Sequence, residues 1–181
     1  MSEELDLLVL VVGRLDAAQI PYMLSGSTAM SFYAEPRMTR DIDIVVEIRA
    51  ADIETIAAAF SHDFYCDQDM IRQAIEHQSS FNLIHTPSVI KVDFIVRKAA
   101  PYRRVEFERR QAITVDGHVI QVVSPEDLVL SKLVWAKPSR SEVQLRDVRN
   151  VLRSVPTLDW SYLERWASEL TVADLLAEVR A

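Results

Sequence analysis

The chain has 181 residues, 49% of them hydrophobic and 26% charged, with a net charge of −7 and one cysteine, Cys66. These values exclude a disordered chain, an internal disulfide and a cysteine-rich zinc site, and suit a single folded domain with a core of its own. Charge is uneven: residues 1–90 hold 5 basic and 14 acidic side chains, whereas residues 97–153 hold 12 basic and 7 acidic. That balance excludes a general nucleic-acid binder but leaves a local basic face for polyphosphate or RNA.

Ser2, the acids Glu3 and Glu4, and Leu5, Leu8, Val12 and Leu15 at helical spacing predict a first helix ending before Pro21. Its apolar run "LLVLVV" is far shorter than the roughly 20 residues a membrane span needs, and the acids after Met1 do not read as a secretory leader, so a cytoplasmic location is expected. Tyr22–Ser25 reads as a short strand, Gly26 as a sharp turn, and "STAMSFYA" as a short helix from Ser27. Residues 41–48 read as a strand, followed by helices over "AADIETIAAAF" and 69–77. "SSFNLIHT" and "VIKVDFIV" read as strands turning at Pro87, and Asp116-Gly117 between "AITV" and "HVIQVV" signals a hairpin. From Ser124-Pro125, an N-cap and a proline at the first helical position, four helices are expected. The fold class is thus α/β (α+β): a mixed β-sheet with flanking helices over 1–123, and a C-terminal helical region over 124–181 packed on it as one domain.

Two acids heading an apolar strand ask for a cause. Asp41 and Asp43, two apart, share one face while Ile42 and Ile44 take the other, and Asp93 stands with Lys91 and Ile95 on one face of the second strand. Like charges so placed repel unless a cation lies between them. The pair reads either as strand-end aspartates paired with Arg37 and Arg40, or as ligands for Mg²⁺, which takes one or two carboxylates plus substrate phosphates. Gly26-Ser27, opening a helix, offers backbone amides to phosphate. Lys132 alone reads as a surface lysine and Cys66 as a small core residue. Trp135, Trp160 and Trp166 are expected to pack helices, with base stacking by one near Lys132 as the alternative. "SGSTA" lacks the G-x-S-x-G elbow of a serine hydrolase.

Gly26-Ser27, thirteen residues, Asp41-Ile42-Asp43-Ile44, then a distant Asp93 resemble the pattern of the nucleotidyltransferase superfamily. "RMTRDIDIVV", "SPEDLVLSKLVWAK" and "QLRDVRNVL" are more particularly similar to AbiEii-type nucleotidyltransferases of type IV toxin-antitoxin systems. The resemblance spans about residues 20–153. It implies a Mg²⁺- or Mn²⁺-dependent enzyme moving a nucleoside monophosphate from an NTP to an acceptor hydroxyl: an RNA or tRNA 3′ end, a protein or an antibiotic. It implies Asp41, Asp43 and Asp93 as catalytic metal ligands, Lys132 as a catalytic phosphate contact, and Gly26, Ser27, Arg40 and Asp147 as nucleotide-binding, Asp147 supporting either the nucleotide or the lysine. A cognate antitoxin is the implied partner. Asn150 stands where relatives commonly place a second aspartate, and the rival reading is a degenerate nucleotide-binding regulatory or antitoxin module.

Overall fold

The computed structural model describes residues 3–36 and 41–180; the expected roles of Ser2, Arg37 and Arg40 lie outside the described residues. In chain order the elements are α1 (Glu3–Ala17), β1 (Tyr22–Ser25), α2 (Gly26–Met30), β2 (Asp41–Val46), α3 (Ile53–Phe60), β3 (Phe64–Tyr65), α4 (Gln68–His77), β4 (Ser80–His85) and β5 (Lys91–Val96). They continue with α5 (Pro101–Glu108), β6 (Gln111–Val115), β7 (His118–Val122), α6 (Pro125–Ala136), α7 (Glu142–Ser154), α8 (Trp160–Glu169) and α9 (Ala173–Arg180). The strands form a mixed sheet in the order β3-β4-β5-β2-β1-β7-β6, in which β2 runs parallel to β5 and antiparallel to β1.

Alternation along β2 and β5 divides the sheet's two faces. Ile42, Ile44, Val46, Val92, Phe94 and Val96 are buried. On that face Phe81 of β4 stacks on Phe94 at 5.3 Å, and Phe60 of α3 meets Phe94 edge-on at 5.7 Å. Asp41, Asp43, Lys91 and Asp93 therefore stand on the opposite face. The hairpin signal has its expected cause: Asp116 and Gly117 both take positive φ, at 47° and 82°, as a two-residue turn matching strand twist requires. Ser124 caps α6, its Oγ accepting from the Asp127 N–H at 3.2 Å.

Three features depart from the sequence reading. The helix at Gly26 is a single turn, Gly26–Met30, rather than a run through Ala34. The sequence pattern signals neither the two-residue β3 nor α5, which carries Pro101 in its first turn. α5 matters because it joins the sheet to the helical tail. Asp127, fully buried on α6, accepts from Tyr102 Oη of α5 at 3.2 Å, Arg109 Nε at 3.0 Å, Tyr162 Oη of α8 at 2.6 Å and Ser124 Oγ at 2.6 Å. Beside it, Glu106 accepts from Arg103 at 2.7 and 2.9 Å and from Ser131 Oγ. Glu126 accepts from the Asp159 backbone N–H at 3.1 Å. Among the described residues no helix is long and apolar enough to cross a membrane.

Candidate active site

The parallel register of β2 and β5 brings the acids together. Asp43 lies directly across from Asp93, and Asp41 across from Lys91. Lys91 closes the group: its Nζ is 2.8 Å from Asp93 Oδ2 and 3.8 Å from Asp41 Oδ1. The Asp93 hydrogen bond holds the Lys91 ammonium above its usual range. Burial, then the charges of Asp93 and Asp41, push the Asp43 carboxyl up to about 6, against the opposing pull of Lys132 and Lys91. Asp43 is thus a carboxylate in surplus of its counter-charges.

Gly26 is required here by packing. It has φ +65°, and a Cβ at this position would lie 1.9 Å from Asp43 Oδ2. The backbone turn at the end of β1 must pass directly against the carboxylate, because Ser25 is the cross-strand partner of Asp43. Only glycine satisfies both demands.

Gly26, Ser27, Asp43 and Lys132 line one cleft, whose floor includes Val45 and Ile95 and whose further walls hold Arg97, Lys98, Arg103, Ser131, Trp135 and Gln144. Asp41 and Asp93 flank Asp43 on the same sheet face without lining the cleft itself. Asp147 of α7 stands behind Lys132, accepting from its Nζ at 2.6 Å, with both side chains about 95% buried. Lys132 also donates to Gln144 Oε1 at 3.4 Å. The surface position expected for Lys132 from helix pattern alone is therefore corrected: the lysine is buried, and a buried ammonium needs the carboxylate that α7 supplies. Asn150, one turn on from Asp147, donates its Nδ2 to the Glu35 carbonyl at 2.9 Å, tying α7 to the chain just before residues 37–40.

The aromatic and basic expectations divide. Trp166 is buried, whereas Trp135 is 61% exposed at the cleft rather than packed between helices. Much of the basic stretch is paired internally: Arg97 with Glu47, Arg103 with Glu106, Arg109 with Glu126 and Asp127, Arg140 and Arg149 with Glu178. Its excess of positive charge is accordingly smaller at the surface than in the sequence. Cys66 is half-buried, and burial pushes its thiol up, away from a nucleophile's range. The sequence reading missed Gln144 and the counter-charge role of Lys91, although the alternation that puts Lys91 beside Asp93 was readable.

The donor chemistry fits a hard divalent cation: three carboxylates on adjacent strands, one of them destabilised in its charged form by burial and by the other two. Among the described residues no three acidic, histidine or cysteine side chains converge as they stand. The position between Asp41 and Asp93 is taken by the Lys91 ammonium.

Among curated proteins none matches the chain. Solved structures match along nearly its whole length. An antigenic nucleotidyltransferase-like protein from Paracoccidioides brasiliensis is 19% identical, with 99% of this chain and 94% of that one covered at a TM-score of 0.61. ANT(2″)-Ia in complex with adenylyl-2″-tobramycin is 13% identical, with 94% and 98% covered at a TM-score of 0.63. The lincosamide antibiotic adenylyltransferase LnuA, lincomycin-bound, is 13% identical, with 86% and 99% covered at a TM-score of 0.54. At these identities the likeness establishes the fold, which is nucleotidyltransferase-like. The model of the family described as "Nucleotidyl transferase AbiEii toxin, Type IV TA system" matches residues 11–149, from within α1 to within α7, and the chain belongs to that AbiEii nucleotidyl transferase family.

Proposed function

We propose that the chain is a metal-dependent nucleotidyltransferase that moves a nucleoside monophosphate from an NTP to an acceptor hydroxyl. The observation that carries this reading is the in-register pairing of Asp43 with Asp93, with Asp41 alongside, at the edge of a cleft that also holds Gly26, Ser27 and Lys132. Mg²⁺ or Mn²⁺ held by Asp41, Asp43 and Asp93 would neutralise phosphate oxygens and ease ionisation of the acceptor. Lys132, held in place by Asp147, presents fixed positive charge to the triphosphate. Gly26 keeps the turn beside Ser27 free of side-chain bulk, so phosphate oxygens approach the backbone. The acceptor oxygen attacks the α-phosphorus, the bond to the pyrophosphate oxygen breaks, and the Asp93 carboxylate takes the acceptor proton.

An RNA 3′ end is the acceptor this reading places first, supported by Lys98 on the cleft wall, and a cognate antitoxin is the partner the family description suggests. Incubation with each labelled NTP, Mg²⁺ or Mn²⁺, and separate RNA, protein and small-molecule fractions tests it. Label in RNA, lost in Asp93→Asn while nucleotide binding survives, is the expected result. NTP binding with no label in any fraction would replace the enzyme with a nucleotide-binding regulatory or antitoxin module.

A further inference from the structure

The carboxylate cluster already contains a cation, and it is part of the chain. Parallel pairing sets Lys91 across from Asp41, and alternation sets it beside Asp93, so its position follows from strand register. Its Nζ hydrogen-bonds to Asp93 Oδ2 at 2.8 Å and lies 3.8 Å from Asp41 Oδ1. A hard divalent ion would bind carboxylate oxygens at about 2.0–2.1 Å, which requires the lone pairs now directed at the ammonium and sets two positive charges within a few ångströms of each other.

The two lysines near Asp43 differ in their freedom to leave. Lys132 is 5% exposed and ion-paired to an equally buried Asp147, so its departure would strand a buried charge. The Lys91 side chain is 38% exposed, and the apolar packing of β5 lies on the other face, through Val92, Phe94 and Val96. Its ammonium reaches solvent by side-chain rotation alone, without disturbing the core.

We propose that Lys91 is the resident counter-ion of the Asp41–Asp43–Asp93 cluster, that a divalent cation binds there by displacing its ammonium, and that this lysine thereby sets the metal affinity of the site. The inference rests on the metal-dependent reading above. In the metal-free protein Lys91 offsets repulsion among the three carboxylates. Once a metal and its accompanying phosphates arrive, the ammonium is the movable charge and turns outward.

The test is Mn²⁺ titration of the full chain without nucleotide, followed by calorimetry and by loss of the free-ion paramagnetic resonance signal. Lys91→Met should bind Mn²⁺ about tenfold or more tightly than the unmodified chain, because one competing charge a few ångströms from the ligands is gone. Lys91→Arg, which keeps the charge, should stay within about threefold. Lys91→Gln, one bond shorter, is neutral and keeps a hydrogen-bond donor; it should tighten binding as Met does, and it protects the comparison if the Met variant folds poorly. Metal-free thermal unfolding supplies a second readout: Lys91→Met should melt below the unmodified chain and recover in saturating Mn²⁺. Unchanged or weaker Mn²⁺ affinity in both Lys91→Met and Lys91→Gln overturns the inference while leaving the metal site standing. If no form binds Mn²⁺, even with NTP present, the metal-dependent reading falls and the inference with it.

Discussion

Two groups of acids lie within this molecule, and they are treated in opposite ways. At the junction of α5, α6 and α8, Asp127 receives four side-chain hydrogen bonds from Tyr102, Arg109, Ser124 and Tyr162, and Glu106 and Glu126 have fixed donors of their own. On the sheet face, burial first and then the charges of Asp93 and Asp41 push Asp43 up to about 6, more than Lys132 and Lys91 offset. The first arrangement offsets desolvation with directed donors and welds the helical tail to the sheet. The second buries Asp43 beside two like charges where a cleft opens. Buried acidity alone therefore says little about function; the supply of partners on neighbouring elements separates an acid that holds the fold from one that can take a ligand.

The sharpest way to break this contrast is to truncate the hub. Asp127→Ala removes the carboxylate that accepts from Arg109 Nε, Ser124 Oγ and two tyrosine hydroxyls, and should cost about 3–5 kcal/mol by urea or thermal unfolding. A loss below about 1 kcal/mol would mean that the hub is not what joins tail and sheet.

Lys132 sits between the two regimes, facing the cleft yet fully ion-paired to Asp147. Lys132→Met leaves Asp147 charged and buried, so a destabilisation of about 3 kcal/mol is expected along with a fall in NTP affinity. Lys132→Met with Asp147→Asn should recover most of the stability and none of the affinity. Recovery of both would make the pair purely structural.

What the sequence disclosed follows from the range of the interactions involved. The period-2 alternation that sets Asp41 with Asp43, the Asp116-Gly117 hairpin and the Ser124 cap are all local, and all are legible. Glu106 and Ser131 are 25 residues apart, so their pairing, and with it the purpose of α5, leaves no short-range pattern. For the same reason a count of arginines overstates the basic face: Arg140 is neutralised by Glu178 of α9, 38 residues later. Gly26 is legible as a special position, but its cause, the Asp43 carboxylate across the strand pair, needs the register.

That cause makes Gly26→Ala the next test. A Cβ there would meet Asp43 Oδ2 at 1.9 Å with φ at +65°, so a loss of about 2 kcal/mol and weakened nucleotide binding are expected. Adding Asp43→Ala should recover most of the steric share, the residue-43 Cβ still lying 2.9 Å away, but leave the conformational share, about 1 kcal/mol, in place. Full recovery in the double variant would assign the glycine to the clash alone, and no recovery would assign it to backbone conformation alone.

The remaining expected change separates the two acid groups most directly, because its sign is opposite. The Asp43 carboxyl lies at about 6 in the folded chain against 3.8 for the free group. A carboxyl raised on folding lends its full relative stability below pH 3.8, and that contribution is lost as pH rises through about 6, where folding must accommodate the charged form. Asp43→Asn stays neutral throughout and keeps the shape that fits beneath Gly26. Without metal the variant should match the unmodified chain near pH 4 and exceed it by about 1–3 kcal/mol at pH 7.5. Saturating Mg²⁺ or Mn²⁺ should invert the order, since only the carboxylate gains a partner. Denaturant titrations at the two pH values, with and without metal, read all four states. If Asp43→Asn is instead less stable at pH 7.5 without metal, Asp43 has satisfied partners like Asp127, and its surplus charge is no mark of a ligand site.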